Sequence, residues 1–236
     1  MSIHIPYGRQ SISSEDIEYV SEVLKSDFLT QGPAVPQFEK AISEYCKTKY
    51  AVAVNSATSA LHISCLALGL EKGDILWTSP ISFVASANCA LYCGAKVDFV
   101  DIDSNSYNIC IESLTKKLEL AELSGNLPKV LIPVHLSGQS CDMKSIFALS
   151  KKYGFAILED ASHAIGSMYA DEPVGNCKFS DIAVFSFHPV KIITSGEGGA
   201  ALTNNPELDN KMRLFASHGI TRNIDLMENV PDGAWY

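Results

Sequence analysis

Four short segments carry residue types that can do chemistry, and they stand apart along a chain of 236 residues. One is Ser186-Phe187-His188-Pro189-Val190-Lys191, which follows an apolar run and precedes the glycine-rich Ser195-Gly196-Glu197-Gly198-Gly199. Partial burial of a lysine disfavours its ammonium form and leaves an amine that is both nucleophile and base. Taken alone, such a lysine also reads as a solvated group near a strand end. A second segment is Phe155-Ala156-Ile157-Leu158-Glu159-Asp160-Ala161-Ser162-His163. Asp160 ends an apolar strand, where a carboxylate can hold the proton of a heterocycle's ring nitrogen. It can equally cap a helix that follows. His163, three residues on, shares its side if the turn is helical, and otherwise reads as a structural histidine.

The third segment, Asn55-Ser56-Ala57-Thr58-Ser59-Ala60-Leu61, spans a strand-to-helix junction. Free backbone N–H groups, the helix dipole and the hydroxyls of Thr58 and Ser59 suit an anion such as a phosphate. Simple N-capping by serine or threonine is the other reading. The fourth segment, Thr78 to Asn88, carries Phe83 soon after a strand end. Phe83 can stack on a flat ligand or fill the core.

The elements that must position these residues alternate. Ser13-Ser14-Glu15-Asp16 looks like a capping box, with Ile17, Val20 and Leu24 then on one helical face. Gln31-Gly32-Pro33 breaks the chain before a second helix marked by Phe38, Ala41, Ile42 and Tyr45. Strands are expected over 50–54, 74–77, 96–100, 129–134, 155–158 and 181–185, most of them separated by helices such as Leu61–Leu68 and Met143–Tyr153. This pattern predicts an α/β fold with a mainly parallel, helix-covered sheet. On such sheets ligands bind beyond the carboxyl ends of the strands, where the polar residues named above fall.

The bulk composition removes other classes. Apolar residues make up 47% of the chain and charged residues 19%, enough for a substantial core. A net charge of −9 disfavours nucleic acid as a partner. No apolar run is long enough to span a bilayer, and Met1 to Pro6 lacks the regions of a signal peptide. The seven scattered cysteines form no CxxC pair and read as buried thiols of a reducing cytoplasm. No HExxH or Cys/His cluster supports a metal, and Gly196-Glu197-Gly198-Gly199 does not fit the dinucleotide GxGxxG pattern.

Together the segments form an ordered set, and the chain resembles the sugar aminotransferases of the DegT/DnrJ/StrS family. The resemblance rests on NSATSAL at 55–61, SPISFVASANC at 79–89, PVHLSGQSCDM at 133–143, EDASHAIGS at 159–167, FSFHPVK at 185–191 and GEGGAALTNN at 196–205. It implies the fold type I architecture of pyridoxal 5'-phosphate enzymes. Lys191 would be the Schiff-base lysine, Asp160 the partner of the pyridine nitrogen and His163 a neighbour of the cofactor hydroxyl. Phe83 would stack on the ring, and Ala57, Thr58, Ser59 and Ser186 would hold the phosphate. Relatives that dehydrate sugars carry histidine at the lysine position, so Lys191 favours transamination.

Ile5 to Gln10 and Ser26 to Pro33 look most like members that serve pseudaminic acid biosynthesis. That likeness implies a nucleotide-sugar pocket lined by Tyr7 and by Asp27, Phe28, Leu29 and Thr30. It also implies L-glutamate as donor and C4 of a UDP-linked 4-keto-6-deoxy-2-acetamido sugar as acceptor, in a homodimer. Another nucleotide-sugar 3- or 4-aminotransferase is the near alternative, and an inactive sugar-nucleotide-binding fragment the distant one. Residues 1–236 would form the N-terminal arm and large cofactor-binding domain, without the family's smaller C-terminal domain.

Overall fold

The computed structural model describes residues 8–221 together with 223, 224 and 227. Helix α1 (Ser14–Lys25) opens on a reciprocal capping box. Ser13 Oγ accepts from the Asp16 N–H at 3.2 Å, and Asp16 Oδ2 accepts from the Ser13 N–H at 2.8 Å. Then follow α2 (Ala34–Cys46), β1 (Tyr50–Val54), α3 (Ala57–Ala67), β2 (Ile75–Thr78), α4 (Ala85–Tyr92), β3 (Lys96–Phe99), α5 (Ile111–Ser124) and β4 (Val130–Ile132). The chain continues through α6 (Met143–Tyr153), β5 (Ala156–Asp160), a small hairpin β6 (Met168–Tyr169) and β7 (Glu172–Pro173), β8 (Ile182–Ser186), β9 (Gly199–Thr203) and α7 (Pro206–Ala216).

Seven strands form one sheet in the order β1-β9-β8-β5-β4-β2-β3. The pairs from β3 through β8 are parallel, while β9 runs antiparallel to both β8 and β1. This is the expected α/β class. Strand β8, Ile182 to Ser186, is buried at every position, as a strand covered on both faces must be. Alternation then sorts its side chains. Ile182 and Val184 join a cluster with Leu76, Ile132 and Leu158, packed against α3 and α7. Ala183 and Phe185 turn to the opposite face, beside Ile42 and Cys46 of α2. A third cluster, with Trp77, Leu131 and Ile157, is completed by Leu114, Leu118 and Ile146 from α5 and α6.

Two features depart from the sequence reading. The stretch after the glycines contributes a fully buried central strand, β9, and not only a turn. Its Gly-Ala-Ala start has poor strand propensity, and pairing on both sides overrides that preference. Second, the apolar stripe of α1 covers no core: Ile17, Val20 and Leu24 are all exposed, and the helix buries no residue.

Gly199 fixes how closely the start of β9 approaches the β1–α3 turn. It is the register partner of both Val54 and Ser186. A Cβ at Gly199 would overlap Ser56 and lie 2.5 Å from Ala57 N, closer than packed atoms allow. Gly199→Ala is therefore expected to destabilise the fold by ~1–3 kcal/mol. An unchanged denaturation midpoint in urea would show that the β1–α3 turn is not held this tightly.

Candidate active site

Five chain segments converge at the carboxyl ends of β1, β2, β4, β5 and β8, around a cavity of about 540 Å³. That size lies within the range that holds small-molecule ligands. Ala57, Thr58, Phe83, Asp160, His163, Ser186 and Lys191 all line it. Residues predicted to work together thus meet in space, although they span the sequence from 57 to 191.

The first wall is the start of α3. Ser56 caps the helix: its hydroxyl accepts from the Ser59 N–H at 3.2 Å and its carbonyl accepts from the Ala60 N–H at 3.0 Å. The N–H groups of Ala57 and Thr58 remain for an acceptor outside the helix, at its positive end. Ser59 behaves differently from its two neighbours. Its hydroxyl donates to Asn55 Oδ1 at 2.6 Å, within the cap, and it does not line the cavity. The segment thus combines a capped helix start with Ala57 and Thr58 placed at the cavity.

Phe83 is 67% exposed, which excludes the core reading and leaves its ring to the cavity. Asp160 is buried at the end of β5. No helix follows it. Ser162 instead folds back, donating to Asp160 Oδ1 from its N–H at 3.2 Å and its hydroxyl at 2.6 Å. The neighbouring acid faces the other way. Glu159 accepts from the His135 ring at 2.8 Å and from the Ser180 hydroxyl. Of the adjacent pair, only Asp160 is among the cavity residues.

His163 sits in a turn and not on a helix. Its Nδ1 accepts from the Ser137 N–H at 3.3 Å, so the neutral ring carries its proton on Nε2. Burial, then the positive charge of Lys191, hold its imidazole below the ordinary value, with Asp160 acting the other way. Lys191 lies in the loop between β8 and β9. The loop is closed at its neck, where Phe187 N–H donates to Gly198 O at 2.9 Å and Ser195 N–H to Phe187 O at 3.0 Å. The Phe187 ring is anchored edge-on against Phe38 of α2 at 5.2 Å. Burial holds the Lys191 ammonium below the usual lysine value, against the pull of Asp160.

A model of the DegT/DnrJ/EryC1/StrS aminotransferase family matches residues 10–230. The chain belongs to this family. It is 44% identical over 220 residues to the UDP-4-amino-4,6-dideoxy-N-acetyl-beta-L-altrosamine transaminase of Campylobacter jejuni, a match covering 92% of this chain and 56% of that protein. Among solved structures it superposes on Helicobacter pylori PseC, an aminotransferase involved in the biosynthesis of pseudoaminic acid, with TM-score 0.84 and 38% identity. That match covers 96% of this chain and 59% of the other. Spr1654 of Streptococcus pneumoniae in its PLP-form gives TM-score 0.82 at 28% identity, over 94% of this chain and 60% of its own. The chain spans little more than half the length of the curated relatives it matches.

The cavity of this family member fits pyridoxal phosphate on its own chemistry. It has N–H donors at a helix start, a buried carboxylate, an exposed aromatic ring and a half-buried amine. The expected substrate residues behave otherwise. Asp27, Phe28, Leu29 and Thr30 form an exposed link between α1 and α2 and do not line the cavity, and Tyr7 lies outside the described residues. Sequence reasoning also missed residues. Ser82, Ser162, His188 and Glu197 line the cavity, and the buried Ser86 donates to Asp160. Ser82 lies before α4 and Ser86 within it, so no helical spacing joined the two in the sequence. Their meeting with Asp160 was not visible without the fold.

The opposed charges make a prediction. Replacing the cation in Lys191→Met should raise the His163 titration midpoint, read by imidazole NMR. His163 loses protons in the folded state before the unfolded chain does, so stability rises with pH through that window. An unmoved midpoint would mean that the two groups do not sense each other.

Proposed function

We propose that this chain is the large, cofactor-binding part of a sugar aminotransferase that uses pyridoxal 5'-phosphate. The observation that carries the reading is the meeting of Lys191, Asp160 and the start of α3 in one cavity. The finer proposal is transfer of an amino group from L-glutamate to C4 of a UDP-linked 4-keto-6-deoxy-2-acetamido sugar. The 44% identity to the Campylobacter jejuni transaminase supports it. So does the superposition on Helicobacter pylori PseC.

When bound, the cofactor supplies a carbonyl carbon for an amine and a protonated ring that takes up electron density. The residues of this chain do the rest. Lys191 holds the cofactor through its amine, which burial keeps more readily deprotonated than a surface lysine. When free, the same amine would serve as the base for a proton on the donor's α-carbon. Asp160 accepts from the ring N–H and keeps the ring protonated. His163, with Nδ1 occupied by Ser137, offers Nε2–H to the ring hydroxyl. Phe83 stacks, while Ala57, Thr58 and Ser186 receive the phosphate. Ser59 acts at one remove, by holding the cap.

We assign a second copy of the chain as a partner, supported by the apolar residues left exposed on α1 and at Phe28 and Leu29. Asp27 to Thr30 would then serve a sugar site completed by another segment. A cytoplasmic setting agrees with seven free cysteines. No helix among the described residues is long and apolar enough to cross a membrane.

Borohydride treatment of the protein with pyridoxal phosphate should place the added mass on Lys191 in peptide mass spectra. With ¹⁵N-glutamate and the keto sugar, label should appear in the sugar. Lys191→Arg should cut that transfer at least roughly a hundredfold. Modification elsewhere, or undiminished transfer by the arginine variant, would sink the assignment.

A further inference from the structure

Asp160 is 4% exposed, yet no ion pair joins it among the described residues. Hydroxyls meet its charge instead. Ser86 Oγ donates to Oδ2 at 2.6 Å, and Ser162 donates to Oδ1 from its hydroxyl at 2.6 Å and its N–H at 3.2 Å. The two hydroxyl distances are those of charge-assisted bonds, which are stronger than neutral ones. A carboxylate offers about four acceptor sites. Oδ1 takes two donors and Oδ2 one, so the remaining site is on Oδ2, in a residue that lines the cavity.

The proton count orients the next contact. The Ser86 hydroxyl donates its one proton to Asp160, so in the 2.8 Å contact between Ser82 and Ser86 the donor is Ser82, whose hydroxyl also reaches the Phe83 carbonyl at 3.2 Å. Ser82 precedes Phe83, and both line the cavity. Ser86 itself is fully buried near the start of α4, where alanine would suit the helix and the core better.

We infer that Ser86 is a positioning residue: its hydroxyl holds Asp160 with one acceptor site on Oδ2 left for a ring N–H, and through Ser82 it ties the Phe83 segment to the same carboxylate. This rests on the reading of Asp160 as partner of the cofactor's ring nitrogen. Binding of pyridoxal phosphate and of its 1-deaza analogue, which has C–H in place of the ring nitrogen, tests both by absorbance titration. The parent chain should bind pyridoxal phosphate more tightly than the analogue. Ser86→Ala should weaken pyridoxal phosphate about tenfold, the scale of one lost hydrogen bond, and leave the analogue within about twofold. Ser86→Thr, which keeps the hydroxyl, should restore the parent's preference. Equal weakening of both compounds by Ser86→Ala, or no weakening of either, overturns the role of Ser86 while leaving that of Asp160. A parent chain that binds both compounds equally, or neither, overturns the reading of Asp160 and this inference with it.

Discussion

The close approach of β9 to the β1–α3 turn is the constraint on which the site depends. Gly199 pairs with Val54 on one side and Ser186 on the other, with Ser56 and Ala57 where its side chain would be. That contact sets the start of α3 beside the end of β8. It therefore brings the helix's unsatisfied N–H groups to the strand from which the lysine loop departs. The antiparallel β9 has a structural purpose in this light. It returns the chain from Lys191 directly into the sheet, so the loop is closed at both ends by main-chain bonds.

Within that frame the electrostatics are economical. A carboxylate, an imidazole and an amine share one partly buried cavity, where the carboxylate and the amine pull the imidazole in opposite directions. Burial and Lys191 disfavour the charged form of His163, and acceptance at Nδ1 from Ser137 leaves the ring proton on Nε2. Burial weakens the hold of Lys191 on its proton, while Asp160 opposes the shift. Asp160 is met by serine donors and not by a cation, which leaves acceptor capacity facing the cavity. A buried salt bridge there would have used the carboxylate up. Glu159 shows the contrast: both its oxygens are already taken by His135 and Ser180 on the other side of the sheet.

Family membership at this level of identity makes the architecture of this chain a shared property. The exposed apolar stripe of α1 and the exposed link at 27–30 belong to a different layer of organisation. They contribute nothing to the three core clusters of this chain, so their apolar residues are not explained by its own folding.

Much of this was determined by the sequence alone. Apolar runs ending in polar residues located six of the seven strands of the sheet, and the capping box at Ser13 placed the first helix. Lys191, Asp160 and Phe83 stood out as candidates because each follows a strand end, such ends face one edge of a parallel sheet, and the segments together resemble the family's motifs. The tertiary structure alone decided the rest. It made β9 a strand despite its glycine and alanines, because two neighbours pair with it. It separated Thr58, which lines the cavity, from Ser59, which spends its hydroxyl on the cap. It also joined Ser86 to Asp160, 74 residues away in the chain. Periodicity and capping are local, so residues near each other in sequence reveal them. A hydrogen bond between distant segments depends on how the whole sheet brings them together, and no local pattern encodes it.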